Sequence, residues 1–279
     1  MQDLSKKNLD SEIFGQLDRL FKHPGILLFR ARELCEVNDY LTKHPLPMEK
    51  RILDLGCAEG YIGELLFNKI DVGLDLFVQE LKKAEKHAVY KNLIAANAKN
   101  LPFKAQTFDA VFSNSVIEHI PGIKEVLSEV SRVLCNEGIF IFTVPSNMFS
   151  DYLYFTKIFR HAGLSLFGLD KLYSKSRNSQ LNHYNLFSDT EWARHLKENC
   201  LEVIYKKYYL SQEETCLWDK ICICSRLSSP FVFLHKMLNK RFNKKVNKII
   251  ASRDNPITGG GLLVVAKKMK LLRLTSEVC

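Results

Sequence analysis

Residues 53–60 read LDLGCAEG. An apolar run, Ile52 to Leu55, enters a turn holding Asp54, Gly56, Cys57, Ala58 and Gly60, and the helical pattern YIGELLFNKI follows. Small residues here let a backbone pass close to a ligand, with a helix amino terminus aimed at it; they also let a helix pack tightly on a sheet. A dinucleotide fingerprint would need Gly-x-Gly-x-x-Gly. The string Gly56-Cys57-Ala58-Glu59-Gly60 brings the last glycine one residue early and has alanine in the middle. An acid at the strand end suits a positive group better than a pyrophosphate. A ligand carrying a cation and no phosphate fits this turn.

Working outward, apolar runs alternate with helical patterns. Strands are expected at 71–76 (DVGLDL), 92–97 (NLIAAN), 107–115 (TFDAVFSNS) and 138–146 (GIFIFTVPS), with helices at 77–90 and 123–134 between them. Helices at 9–22 and 26–41 precede the turn, and HPLP at 44–47 ends the second. Beyond 146 come an aromatic-rich segment, a helix at 188–199 opened by a Ser188–Glu191 capping box, a strand at 201–210, an insertion at 211–258 and a strand at 260–268. This alternation predicts an α/β fold: a Rossmann-like, seven-stranded, mostly parallel sheet with helices on both faces, an N-terminal helical cap and insertions. Ligands in such sheets bind beyond the carboxyl ends of the strands. Asp75 ends the second strand, 21 positions after Asp54. An acid there is placed to accept hydrogen bonds from both hydroxyls of a ribose.

Composition bounds the class. The 279 residues are 46% hydrophobic, and 18 Phe with 10 Tyr speak for a packed core against disorder. No apolar run reaches the roughly 18–20 residues that a membrane-spanning helix needs. The start, MQDLSKKNLDSEIFGQLDRLF, has no signal-peptide core, so a cytoplasmic location is expected. The cysteines are scattered, which fits reduced core thiols. Cys222-x-Cys224 reads as alternation on a strand, with Cys216 nearby, and a metal there is not expected.

The motifs together resemble the class I S-adenosylmethionine-dependent methyltransferases, within the methyltransferase type 11 family that includes the ubiquinone and menaquinone biosynthesis enzymes. The likeness runs over RILDLGCAEGYIGELL, VGLDL, NAKNLPFKAQTFDAVFSNSVIEHI and EVSRVLCNEGIFIFTVPS, roughly residues 50–146, with a weaker echo at 183–204. It implies S-adenosyl-L-methionine as cofactor. Asp54, Gly56, Cys57, Ala58 and Gly60 would line its methionine part, Asp75 would bind the ribose, and Leu76 and Leu101 would pack on the adenine. Asn97 and Ala98 fall where the family has Asp-Ala, so Asn97 would accept from the adenine amino group without charge assistance. Ser113 and Asn114, at the end of the fourth strand, would sit beside the transferable methyl. SVIEHI resembles a Glu-x-x-Glu-His metal-binding stretch, but Ser115 stands at the first Glu position, so no metal is expected. His119 is a candidate general base, and His183 a second. In domain terms, residues 1–48 would be the cap and 49–279 the methyltransferase domain. Segment 146–187 is expected as an aromatic lid and 211–258 as a basic insertion.

The net charge of +9 is local: from Arg226 to Arg253 the chain carries eight lysines and arginines and no acid. Residues 229–250 predict a helix with Phe231, Leu234, Leu238, Phe242, Val246 and Ile249 on one face. Such a basic amphipathic helix reads as a peripheral membrane contact, or as a helix packed on its own domain with solvated lysines. RNA competes as an anionic partner, although no RNA-binding module motif is present. The expected acceptor is a small or lipid-linked molecule: a quinone, glycolipid or sugar intermediate. The alternatives are a tRNA methyltransferase and a non-catalytic Rossmann-like binding protein.

Overall fold

The computed structural model describes residues 15–47, 49–252 and 255–270. Residues 9–14 of the expected first helix, Arg253 and Cys279 lie outside them. Seven strands form one sheet in the order β3-β2-β1-β4-β5-β7-β6. They are β1 Ile52–Leu55, β2 Val72–Asp75, β3 Leu93–Ala95, β4 Phe108–Asn114, β5 Leu134–Pro145, β6 Leu201–Tyr209 and β7 Gly261–Lys268. β1 pairs in parallel with β2 and β4, and β2 with β3, as an α/β alternation requires. The chain divides into two compact units. One comprises Met1–Pro45, Thr143–Ser188 and Lys207–Leu263; the other comprises Leu46–Phe142, Asp189–Lys206 and Val264–Cys279.

The second of these units carries β1 to β4 with helices α2 Tyr61–Leu66, α3 Val78–Ala84, α4 Ile123–Val133 and α7 Asp189–Lys197. All four residues of β1 and of β2 are buried, which explains why each strand is apolar apart from its aspartate and Gly73. α4 buries Ile123, Val126, Leu127, Val130 and Val133, the spacing of one helical face. α3 ends at Ala84, short of the expected 90. The chain then turns twice, with the His87 amide on the Ala84 carbonyl at 2.9 Å and the Tyr90 amide on the His87 carbonyl at 3.3 Å.

The first unit carries α1 Pro24–Lys43, α5 Tyr154–His161, α6 Leu169–Gln180, α8 Gln212–Ser228 and α9 Val232–Ile250. α1 starts on a His23 cap, whose Nδ1 accepts from the Gly25 and Ile26 amides, with Pro24 in the first turn. Two buried acids organise the unit. Glu33 accepts from Thr143 Oγ1 at 2.8 Å and Tyr209 Oη at 3.1 Å and pairs with Arg30. Asp219 accepts from the Tyr154 amide at 2.9 Å, Tyr173 Oη at 2.6 Å and Arg177 Nε at 2.9 Å.

Two sequence expectations need correction in this unit. Cys216, Cys222 and Cys224 lie on α8, opened by a Ser211–Glu214 capping box, and not on a strand. Within the segment expected as an aromatic lid, Tyr154, Phe155, Phe159 and Tyr173 pack on one another. α9 does not present the single apolar face expected of it. Leu238, Phe242, Val246 and Ile249 turn inward as α9 packs on α1 and α8, whereas Phe231 and Leu234 are exposed.

Candidate functional site

Two carboxylates define the carboxyl edge of the parallel strands. Asp54, next to last in β1, and Asp75, the last residue of neighbouring β2, are 3% and 8% exposed. The Tyr90 hydroxyl donates to Asp54 Oδ2 at 2.7 Å and to the Gly60 carbonyl at 3.3 Å. Burial, reinforced by the Asp75 charge and only partly opposed by the Tyr90 bond, pushes the Asp54 carboxyl up to about 7. Asp75 takes one backbone amide on each oxygen, Ala58 on Oδ2 and Phe77 on Oδ1, both at 2.9 Å. Each oxygen retains a lone pair for a further donor.

The turn itself is built for the fold. The Gly56 and Cys57 amides both donate to the Leu74 carbonyl, at 2.7 and 3.0 Å, and the Gly60 amide donates to the Cys57 carbonyl at 2.9 Å. With Ala58 committed to Asp75, three of these amides tie the loop to β2 and the Gly60 amide closes the turn on itself, the packing role that small residues also serve. Gly56 and Gly60 are both left-handed at φ +84°, and a Cβ on Gly56 would lie 2.5 Å from Val116. On Gly60 it would lie 2.9 Å from both His87 and Tyr90. Ala58 tolerates φ +45° on an exposed backbone. Cys57 is buried, and burial together with the two carboxylates pushes its thiol up, so it stays neutral at neutral pH.

Tyr90, which the sequence does not single out, holds Asp54 through its hydroxyl. Its side chain occupies the space left by three glycines: a Cβ would lie 2.9 Å from the ring at Gly60, 2.1 Å from the hydroxyl at Gly63 and 2.8 Å from the ring at Gly73. Those glycines are the signal, although nothing in the sequence says which side chain fills the gap.

The remaining predicted residues fall as follows. Leu76 is 59% exposed just after Asp75, beside exposed Phe77 and Val78, an apolar ledge at the strand edge. Leu101 is buried, as core packing requires. Asn97 is exposed, and its Oδ1 caps its own turn by accepting the Lys99 amide at 2.9 Å, which leaves one lone pair. Ala98 is buried beside it. Ser113 is fully buried and donates to the Leu55 carbonyl at 3.0 Å, tying β4 to β1, while Asn114 is half-buried at the strand end. His119 lies on a short 3-10 turn, Ile117–His119, with Nε2 3.5 Å from the buried Glu118 carboxylate. His183 belongs to the other unit, where its amide donates to the Asn178 carbonyl and its ring meets Phe149 edge-on.

The donor set favours a particular ligand. Two buried acids at one strand edge repel a phosphate. A cationic group would restore the ionised form of Asp54, and a diol matches the two free positions on Asp75. An exposed ledge at Leu76–Val78 offers a flat apolar surface. A sulfonium nucleoside with an amino-acid tail satisfies all three.

The known proteins agree. The Methyltransferase domain family model matches residues 53–142. The chain is 36% identical over 101 residues to the malonyl-[acyl-carrier protein] O-methyltransferase of Legionella pneumophila, covering 34% of this chain and 36% of that enzyme. It is 30% identical over 160 residues to the uncharacterised protein MJ0638 of Methanocaldococcus jannaschii, covering 54% of this chain and 69% of that protein. It spans little more than a third of the length of that methyltransferase and of another curated relative, the uncharacterised protein MJ1252 of the same archaeon. Among solved structures, an S-adenosylmethionine-dependent methyltransferase from Thermotoga maritima shares the fold at a TM-score of 0.54 and 17% identity, covering 94% of this chain and 98% of that one. Residues 53–142 thus match a methyltransferase domain, on a fold shared with S-adenosylmethionine-dependent methyltransferases.

Proposed function

We propose that the protein binds S-adenosyl-L-methionine at the carboxyl edge of β1, β2 and β3 and methylates a small or lipid-linked acceptor, with a quinone, glycolipid or sugar intermediate as the substrate class. The observation that carries this reading is the buried Asp54–Asp75 pair with its unmatched demand for a cation and a diol. When bound, the cofactor supplies an electrophilic methyl on a sulfonium. Asp54, ionised, holds the amino group of the methionine part. Asp75 accepts from the ribose hydroxyls while the Ala58 and Phe77 amides fix its carboxylate. Leu76 covers the adenine, and Asn97 and Ala98 border it. Ser113 and Asn114 set the end of β4 beside the reacting centre. Transfer then depends mainly on alignment of acceptor and methyl. For an oxygen or nitrogen acceptor, His119 is the candidate for taking up the departing proton, with His183 the second candidate.

Transfer of labelled methyl to a panel of quinols, carboxylic acids and lipid-linked sugars tests this. Labelled product, lowered by roughly 100-fold in His119→Ala for a hydroxyl acceptor, is expected. Tight cofactor binding with no product across the panel would instead support the non-catalytic alternative.

A further inference from the structure

The α8–α9 connection exposes what a packed hairpin normally hides. The Phe231 amide donates to the Ser228 carbonyl at 2.8 Å, closing the turn at Ser229 and Pro230. A polar lock holds its inner side: His235 lies between Ser228 Oγ at 3.0 Å and Asn239 Nδ2 at 2.9 Å, and Ser225 donates to Asn239 Oδ1 at 3.3 Å. The outer side carries Leu227, Phe231, Val232, Phe233 and Met237, all exposed, with Phe233 at 84%. With Leu234 also exposed, six large apolar side chains over eleven positions form a patch of the kind that marks an interaction surface. Further along α9 the outward stripe turns basic. Lys240 and Lys244 follow Phe233 and Met237 at helical spacing, flanked by Lys236 and Arg241, all exposed. No acid occurs between Arg226 and Arg253 to neutralise them.

We propose that this tip docks the protein on an anionic phospholipid bilayer. Leu227, Phe231, Val232, Phe233 and Met237 enter the interface, and Lys236, Lys240, Arg241 and Lys244 meet the headgroup phosphates. The contact differs from a helix lying in the membrane plane. The inward face of α9 is occupied by α1 and α8, so only the tip and the outward stripe are available. Lysines alone would serve RNA equally well, but the apolar plug has no use against a phosphate backbone and suits lipid. The surface stands independently of the methyl-transfer reading.

Flotation of the full chain with vesicles tests the proposal. The wild type is expected to float with phosphatidylcholine–phosphatidylserine vesicles and about tenfold less with phosphatidylcholine alone. Phe233→Ser with Met237→Ser should lower partition about tenfold or more, with thermal unfolding unchanged. Lys240→Gln with Lys244→Gln should lower it severalfold and flatten its salt dependence. No flotation of the wild type, or equal flotation of the Phe233→Ser/Met237→Ser protein, overturns the proposal. So does concentration-dependent self-association abolished by that variant, which would assign the patch to a second copy, or salt-sensitive RNA binding without vesicle binding.

Discussion

The strand ends at Asp54 and Asp75 and the tip at residues 227–237 depart from the usual inside–outside distribution in opposite senses. At the strand ends two acids are buried; at the tip six large apolar side chains are exposed. Each departure costs the isolated chain something that a partner would return. A cation restores the charge of Asp54, and a lipid interface covers Phe233. Ordinary packing explains neither region, although it explains much that lies next to them. The glycines beside Asp54 are set by Val116, His87 and Tyr90, and the inner side of the tip is held by the Ser228–His235–Asn239 bonds.

This contrast can be broken most severely through pH. Asp54 has its folded carboxyl raised to about 7 from 3.8. In the ligand-free protein its contribution to stability is therefore full below about 4 and is lost as pH rises through 7. Binding of an ammonium-bearing ligand needs the ionised form, so affinity should rise about tenfold per pH unit up to 7 and then level off. Titrations at pH 5, 6, 7 and 8 would show it, with proton release at pH 6 detected in buffers of different ionisation enthalpy. A flat profile would remove Asp54 from the cation's site.

A smaller effect separates packing from ligand binding. Gly56→Ala meets Val116 at 2.5 Å on a left-handed backbone and should cost about 2–3 kcal/mol by chemical unfolding. Adding Val116→Ala should relieve the clash and leave only the backbone strain, of about 1–2 kcal/mol. Tyr90→Phe should change less still. Loss of one charge-assisted bond raises Asp54 further and weakens cofactor binding at neutral pH by roughly tenfold, with the affinity midpoint displaced upward in pH. Phe233→Ser comes last, with an unfolding change within about 0.5 kcal/mol, because an exposed side chain has little packing to lose. A larger loss there would mean that the tip is packed in solution.

How much the sequence discloses differs between the two units for a physical reason. Strands β1, β2 and β4 are short, doubly buried and punctuated by glycine and acid, so ILDL, VGLD and FDAVFSN stand out as apolar runs. Asp54 and Asp75 were legible because strand ends fix which residues reach the edge. Tyr90 was not, because its role depends on two turns after α3 and on space left by glycines far away in the chain. In the other unit the organisers Glu33 and Asp219 act through partners up to 176 residues distant, such as Tyr209, and no local pattern encodes them. The Cys222–Cys224 spacing misled for a related reason. Two residues apart fits strand alternation, yet Ser211 and Glu214 start a helix that runs through both. The α9 pattern is helical in the sequence and a helix in the structure. Its apolar residues proved to be divided between an inward face and an outward tip, a division that only the neighbouring helices determine.

The most direct test of the central claim is a calorimetric titration of S-adenosylhomocysteine into the wild type and Asp75→Ala, with NAD as control. The account predicts micromolar binding to the wild type, a loss of roughly 100-fold in the variant, and no binding of NAD. Equal binding to both proteins, or none to the wild type, would contradict the assignment of the β1–β2 edge as the cofactor site.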